Sequence, residues 1–104
     1  MTQEDSLHFC QTNDEIRKVI LIVVASFNQS IASFNSNVQV VPHTSYGRIY
    51  LRWRDRQTKR LCANFESLLS PSEMDDKLTL NNIQAKIEHM NSMISLQRKR
   101  MRHP

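Results

Sequence analysis

The chain has very little glycine and contains no long apolar run. Among its 104 residues there is a single glycine. Because phosphate-cradling loops need glycine at several positions, this scarcity excludes the glycine-loop nucleotide-binding motifs. The longest apolar stretch, residues 20–25, is much shorter than the roughly 20 residues that span a bilayer, so we predict no membrane segment. The N-terminus, MTQEDSLHF, carries acids where a signal peptide carries lysine or arginine, which predicts a cytoplasmic protein.

Groupings of residues that hold metals or perform catalysis are also missing from the sequence. Two cysteines, Cys10 and Cys62, do not make a disulfide framework, and in a reducing compartment we expect two free thiols. The histidines are scattered, and none lies at metal-ligand spacing from a cysteine or another histidine: His8, His43, His89 and His103. No general base accompanies Cys62. The sequence therefore predicts a protein that is not an enzyme and that has no catalytic residue, metal or cofactor.

The length suits one domain over residues 1–104, with a modest hydrophobic core. We divide it into an irregular lead-in (1–11), a helix (12–34), an antiparallel sheet (38–66) and a helical region with a basic tail (70–101). The predicted fold class is α+β, with an N-terminal helix, a small three-stranded antiparallel sheet and a long C-terminal helix.

The first predicted helix begins with Thr12 three residues before Glu15, which is the spacing of a capping box. The residues that follow recur on one face at spacings of three and four: Ile16, Ile20, Val23, Phe27, Ser30 and Phe34. This periodicity predicts a helix that packs against the rest of the chain.

Alternating residues then predict a sheet. VQVV is a short strand that ends at Pro42, and HTSYG is a connection. In RIYLRWR, apolar residues alternate with three arginines and Tyr50, as in a strand with one buried face. DRQT supplies a turn, and KRLCANFE alternates again. The predicted inward set is Ile49, Leu51, Trp53, Leu61, Ala63 and Phe65.

The C-terminal region begins with SPSE at 70–73, a second helix-start signal, and continues with a heptad-like stripe. The stripe comprises Leu80, Ile83, Ile87, Met90, Ile94, Gln97 and Met101. It has two interpretations: an ordinary core face, which we favour, or a homodimer seam through Ile83, Ile87, Met90 and Ile94.

Positive charge is concentrated in two segments. The net charge is +4, and six of the fourteen basic residues lie between positions 48 and 60, with four more at 98–102. The candidate nucleic-acid-binding residues are Arg48, Tyr50, Arg52, Arg54, Arg56, Lys59, Arg60, Arg98, Lys99, Arg100 and Arg102. A two-stranded ribbon fits the major groove of DNA, and arginine binds phosphate and guanine. The same pattern is also typical of a solvated sheet face, and cations at a helix C-terminus complement its dipole.

Residues 46–65, YGRIYLRWRDRQTKRLCANF, resemble the arm-type DNA-binding domains of phage and transposon tyrosine recombinases. The similar residues are Gly47, Arg48, Ile49, Leu51, Arg52, Trp53, Lys59 and Arg60. The resemblance implies a small basic antiparallel sheet followed by a helix, with Arg48, Arg52 and Arg54 on the DNA-reading face. The predicted order of helix, sheet and helix also looks like that of small accessory proteins of conjugative or phage elements, which suggests a small accessory protein of a mobile element.

Two functions therefore stand at this point. The first is a small nucleic-acid-binding accessory protein, with DNA favoured over RNA, that uses the arginine-rich hairpin and the basic tail. The alternative is a protein-binding module or inhibitor that applies the same patch to an acidic protein surface. Neutralisation of the patch by Glu66 or Glu73 would favour the alternative, whereas an open patch continuous with the tail would favour nucleic acid.

Overall fold

The computed structural model describes residues 3–32, 37–68 and 77–102. The helices are α1 (Gln3–His8), α2 (Asn13–Ile31) and α3 (Lys77–Arg102), and the strands are β1 (Val38–Ser45), β2 (Arg48–Asp55) and β3 (Leu61–Cys62). The strands form one antiparallel sheet in the order β1-β2-β3. The predicted α+β fold, with an N-terminal helix, a three-stranded sheet and a long C-terminal helix, is confirmed.

The helix α2 begins at the predicted cap. The Thr12 hydroxyl oxygen accepts a hydrogen bond from the Glu15 N–H at 3.2 Å, and the Glu15 carboxylate reaches back to the Gln11 N–H at 3.4 Å. Both bonds satisfy N–H groups at or beside the helix start. The inward face buries Ile16, Val19, Ile20, Val23, Val24 and Ile31. Phe34, the last residue of the predicted stripe, lies outside the described residues.

The predicted irregular lead-in contains a short helix, α1, of six residues. This segment is too short to show a periodicity in the sequence, and packing positions it instead. The Leu7 side chain is fully buried in the core, and the Gln97 side-chain amide donates to the Cys10 carbonyl at 2.7 Å. The lead-in is thereby tied to α3.

The strand β1 is longer than predicted, because it continues through Pro42 to Ser45. Pro42 lies opposite Leu51, whose own N–H points to α3 rather than to β1. In such a pair neither residue donates to the other strand, so the position of Pro42 needs no N–H toward β2, and proline is tolerated there. Tyr46 and Gly47 alone connect the strands, with φ of 52° and 76°. Positive φ at both positions is what a tight type I′ hairpin turn requires.

The strand β3 is much shorter than predicted. It ends at Cys62, and the Asn64 side-chain oxygen then accepts the Glu66 N–H at 2.8 Å, which begins a 3₁₀ helix at Phe65–Leu68. Leu61 and Ala63 are exposed, so the prediction of an inward orientation is wrong for them. Phe65 is buried, as predicted, with its ring centroid 5.4 Å from that of Trp53.

One core joins the three helices to the inward face of the sheet. Ile49, Leu51 and Trp53 of β2 are buried in it, as predicted. Leu80, Ile83, Ile87, Met90 and Ile94 of the α3 stripe are buried in the same core, and Met101 packs half-buried against it, which confirms the interpretation of the stripe as a core face. The helix-start signal at 70–73 lies outside the described residues. None of the described helices is both long and apolar enough to cross a membrane.

Side-chain amides cover both outer edges of the β-hairpin. Asn28 of α2 bonds both the N–H and the carbonyl of Val40, at 2.7 and 2.8 Å. Asn91 of α3 does the same for Leu51, at 2.9 and 3.1 Å. Each amide replaces a missing neighbouring strand, and Asn91 fixes α3 along the edge of β2, where β3 is too short to pair.

Candidate nucleic-acid interface

The outward face of β2 presents three arginines and one tyrosine. Period-two alternation places Arg48, Tyr50, Arg52 and Arg54 on the face opposite to Trp53 and its inward neighbours, although Tyr50 also packs against the core. Arg48 and Arg52 are exposed, whereas Tyr50 and Arg54 are half-buried. The structure thus brings together on one sheet face the four residues that the sequence analysis placed there.

The neighbouring strand adds only uncharged or weakly basic groups to this face. Residues directly opposite one another share a face, so β1 contributes Gln39, Val41, His43 and Ser45. With the Gln39 amide in the orientation that satisfies both groups, its oxygen accepts from Arg54 Nε and Nη2 at 2.9 and 2.7 Å. We call these eight positions of β1 and β2 the basic face. They contain no aspartate or glutamate.

Asp55, the one acid between Arg48 and Arg60, is occupied by the turn. Its carboxylate accepts from the backbone N–H of Gln57 at 2.8 Å and of Thr58 at 2.9 Å. The Thr58 backbone N–H is the main reason why the pKa of Asp55 is lowered, and the Gln57 N–H adds to it. Asp55 therefore serves as a turn cap. The remaining candidate residues of this turn are all exposed: Arg56, Lys59 and Arg60.

Among the residues whose side chains are described, no acid forms an ion pair with the basic face, although Glu88 lines a surface pocket together with Tyr50 and Arg52. In this part of the chain, the ion pair joins Lys77 to Glu66 at 3.6 Å, and no arginine takes part in one. Glu66 is thus directed toward α3, and Glu73 lies outside the described ranges. Glu66 therefore does not neutralise the patch. The two candidate functions were distinguished by whether the patch is neutralised or open, and with respect to Glu66 it is open.

The basic tail divides into residues with different surroundings. Arg98 is only 6% exposed, and its Nη2 donates to the Ile49 carbonyl at 2.9 Å. Lys99 is exposed. Arg100 is also exposed, and its Nη1 lies 2.6 Å from His8 Nδ1. Arg102 is the last residue of α3. The tail is therefore the end of a packed helix, in which Arg98 is directed toward β2.

Arg98 connects the tail to the basic face through Tyr50. The guanidinium carbon of Arg98 lies 4.9 Å from the centre of the Tyr50 ring, which is within cation–π range. The Tyr50 hydroxyl lies 3.4 Å from Ser95 Oγ. The hydrogen bond with Ser95, followed by interactions with Arg98 and Arg48, lowers the pKa of Tyr50 even though desolvation opposes this shift. These side chains line a surface pocket of about 160 Å³ together with Lys99.

Two features of this region escaped the sequence analysis. Tyr46 is fully exposed at the tip of the hairpin turn, because the turn consists of Tyr46 and Gly47 alone; the YG pair was visible in the sequence but was assigned to a longer connection. Ser95 reaches Tyr50 across 45 positions of the chain. No local signal could have identified it, since the contact depends on how α3 lies against β2.

The two cysteines are free thiols, as predicted. Cys10 is buried, and its thiol donates to the Ser6 carbonyl at 3.4 Å. Burial, and secondly the nearby Glu15 carboxylate, raises the pKa of Cys10, which makes it less reactive. Within the described parts of the chain, no three side chains of histidine, cysteine, aspartate or glutamate come together as metal ligands.

Comparisons of the chain with models of protein families, with curated proteins and with solved structures gave no match. The resemblance of residues 46–65 to arm-type DNA-binding domains accordingly stays a prediction.

Proposed function

We propose that this chain is a small non-enzymatic protein that binds nucleic acid, DNA in preference to RNA, through the basic face and Lys99. The observation that supports this proposal is the placement of Arg48, Arg52 and Arg54 on one sheet face, without a carboxylate partner among the described residues. A role as an accessory protein of a mobile element would agree with the resemblance of residues 46–65.

The dimensions of this face suit a duplex. With a rise of about 3.3 Å per residue, the six steps from Arg48 to Arg54 extend about 20 Å along the strand. A two-stranded ribbon fits the major groove, which is about 12 Å wide. Arginines spaced along such a ribbon can donate to phosphates or, in pairs of hydrogen bonds, to guanine. The hydroxyl of Tyr50 between them is a further donor.

The continuity of positive charge favours nucleic acid over an acidic protein. Arg48 of β2 and Lys99 of α3 line the same pocket, so the positive surface extends beyond the hairpin onto the helix. A polyanion with regularly spaced charges can engage the whole of this surface. The alternative ligand, an acidic protein surface, is then a distinguishable outcome of the binding experiment.

The test is a titration of fluorescent duplex DNA, single-stranded DNA and RNA, followed by anisotropy over a range of salt concentrations. We expect duplex binding whose log affinity falls with log salt, by about 0.9 for each phosphate contacted. Replacing Arg52 and Arg54 with alanine should reduce this slope by up to roughly two contacts' worth. The control carries Lys18→Ala and Lys86→Ala, which remove the same charge from exposed positions on α2 and α3.

Two results would contradict the proposal. One is wild-type protein that binds none of the three nucleic acids at low salt, in which case the arginines would serve a protein partner. The other is a control variant that loses as much of the slope as the arginine variant, because binding would then depend on net charge and not on the basic face.

A further inference from the structure

The pocket between β2 and α3 is lined by three cations and two hydroxyl groups. Its lining residues are Arg48, Tyr50, Ser95, Arg98 and Lys99. Its volume of about 160 Å³ is several times the roughly 30 Å³ that one water molecule takes up in the liquid. The site can therefore accommodate a small polyatomic anion.

The cations at this pocket have no carboxylate partners among the residues whose side chains are described. Arg98 is the most informative of them, because it is 94% removed from solvent: its exposed fraction is 6%. One of its terminal nitrogens bonds the Ile49 carbonyl at 2.9 Å, and the other, Nη1, is buried with no hydrogen-bond partner in this part of the chain. A buried guanidinium is costly unless an anion or a full set of hydrogen bonds compensates it.

The hydroxyl groups complete a donor set. Tyr50 and Ser95 stand 3.4 Å apart, oxygen to oxygen, and whichever hydroxyl accepts in this hydrogen bond keeps its own O–H free to donate to an anion. Ser95 and Lys99 are four residues apart on α3, so they lie on the same side of the helix. The pocket thus offers charge-assisted donors from β2 and from one face of α3, the combination that binds phosphate.

We propose that this pocket binds a phosphate monoester, and specifically the terminal phosphate of a nucleic acid. This inference rests on the proposed function for the source of the phosphate. Three cations without carboxylate partners carry more positive charge than one backbone phosphodiester, with a single negative charge, can offset. A phosphate monoester carries a charge of about −1.5 to −2 at pH 7 and three acceptor oxygens, which matches this donor set better.

The first experiment tests the pocket without nucleic acid. The melting temperature is followed against inorganic phosphate, with sodium chloride of equal ionic strength as reference, since a ligand specific for the folded state raises it. We expect stabilisation by phosphate beyond that by chloride. Ser95→Ala should weaken phosphate binding about tenfold and Lys99→Ala about threefold. Their matched controls on α3 are Ser92→Ala and Lys86→Ala, both at exposed positions. These two substitutions should leave phosphate binding unchanged.

The second experiment compares two oligonucleotides of one sequence, with a 5′-phosphate and with a 5′-hydroxyl. We expect the phosphorylated form to bind about tenfold more tightly, and Ser95→Ala to remove most of that preference. Equal binding of the two forms would overturn the inference while leaving the proposed function intact, whereas binding of neither form would contradict the proposed function.

A phosphate effect that Ser92→Ala reduces as much as Ser95→Ala does would overturn the pocket assignment itself. So would stabilisation by phosphate that does not exceed that by chloride. Ser95→Ala and Lys99→Ala both keep the buried Arg98. The outcome therefore does not depend on whether a chain that lacks Arg98 folds.

Discussion

The two basic segments of the chain, residues 48–60 and 98–102, look alike in composition but differ in their surroundings. On β2, the arginines and Tyr50 together occupy every second position from 48 to 54, and all lie on the outward face. On α3, three successive basic residues have three different environments: Arg98 is buried, Lys99 is exposed, and Arg100 contacts His8. The difference lies in the periodicity of the backbone.

A strand with a period of two collects alternate residues on one face, so a pattern of alternating arginines becomes a continuous charged surface. A helix turns by about 100° per residue, because it has 3.6 residues per turn, and therefore distributes consecutive cations around its axis. Basic residues at alternate positions of a strand therefore form one patch, whereas consecutive basic residues of a helix make separate contacts. The hairpin consequently carries the basic face, and the tail places Lys99 and the buried Arg98 at its edge.

The largest expected effect distinguishes adjacent residues of β2. Trp53 is fully buried, and its indole N–H donates to Gln84 Oε1 at 2.6 Å. Trp53→Ala should lower the free energy of unfolding by about 3–5 kcal/mol, measured by urea denaturation. The exposed neighbour Arg52, changed to alanine, should alter it by less than about 0.5 kcal/mol. Similar losses for the two variants would contradict the alternation on which the basic face depends.

The next effect separates the two basic segments directly. Arg98→Ala removes a charged hydrogen bond to the Ile49 carbonyl and the contact with the Tyr50 ring. We expect a loss of about 1.5–3 kcal/mol in unfolding free energy, against less than about 0.5 kcal/mol for Arg52→Ala. Arg98→Met retains most of the side-chain packing while removing the charge. If Arg98→Met were more stable than the natural protein, the buried charge would be a net cost.

This difference between the segments also explains what the sequence could and could not predict. The alternation of RIYLRWR predicted both faces of β2, because a strand's period determines them locally. The burial of Arg98 against β2 depends on how α3 lies on the sheet. Asn91 fixes this position, because it bonds Leu51 across 40 positions of the chain. No local pattern contains that information. In the same way, the alternation predicts β3 too long because it cannot foresee the turn that Asn64 begins after the strand ends at Cys62.

A third prediction concerns Asn91, whose side-chain amide joins α3 to the edge of β2. Asn91→Ala leaves the N–H and the carbonyl of Leu51 without their partner at a partly buried edge. We expect a loss of about 1–2 kcal/mol in unfolding free energy, measured by urea denaturation. Asn82→Ala, at an exposed position of the same helix, is the control and should cost less than about 0.5 kcal/mol. An equal cost for the two variants would show that the amide does not anchor α3.

The smallest expected effect is a change in the pKa of Tyr50, which contacts Arg98 of the basic tail. The Ser95 hydroxyl, followed by Arg98 and Arg48, lowers the pKa of Tyr50 below its ordinary value of 10.0. In a Tyr46→Phe background, tyrosinate absorbance reports on Tyr50 alone. Ser95→Ala should raise this pKa, Arg48→Ala should raise it by less, and Lys86→Ala should leave it unchanged.

The same titration determines the sign of a pH effect on stability. Because the folded protein favours the deprotonated phenol, Tyr50 contributes stability that is fully present above the unfolded-state pKa, near 10, and is lost as pH falls through the lowered pKa. The difference in unfolding free energy between the natural protein and Tyr50→Phe should therefore grow as pH rises toward 10. A difference that stays constant or shrinks over this range would mean that folding does not lower the pKa of Tyr50, so that Ser95, Arg98 and Arg48 together do not outweigh the opposing desolvation.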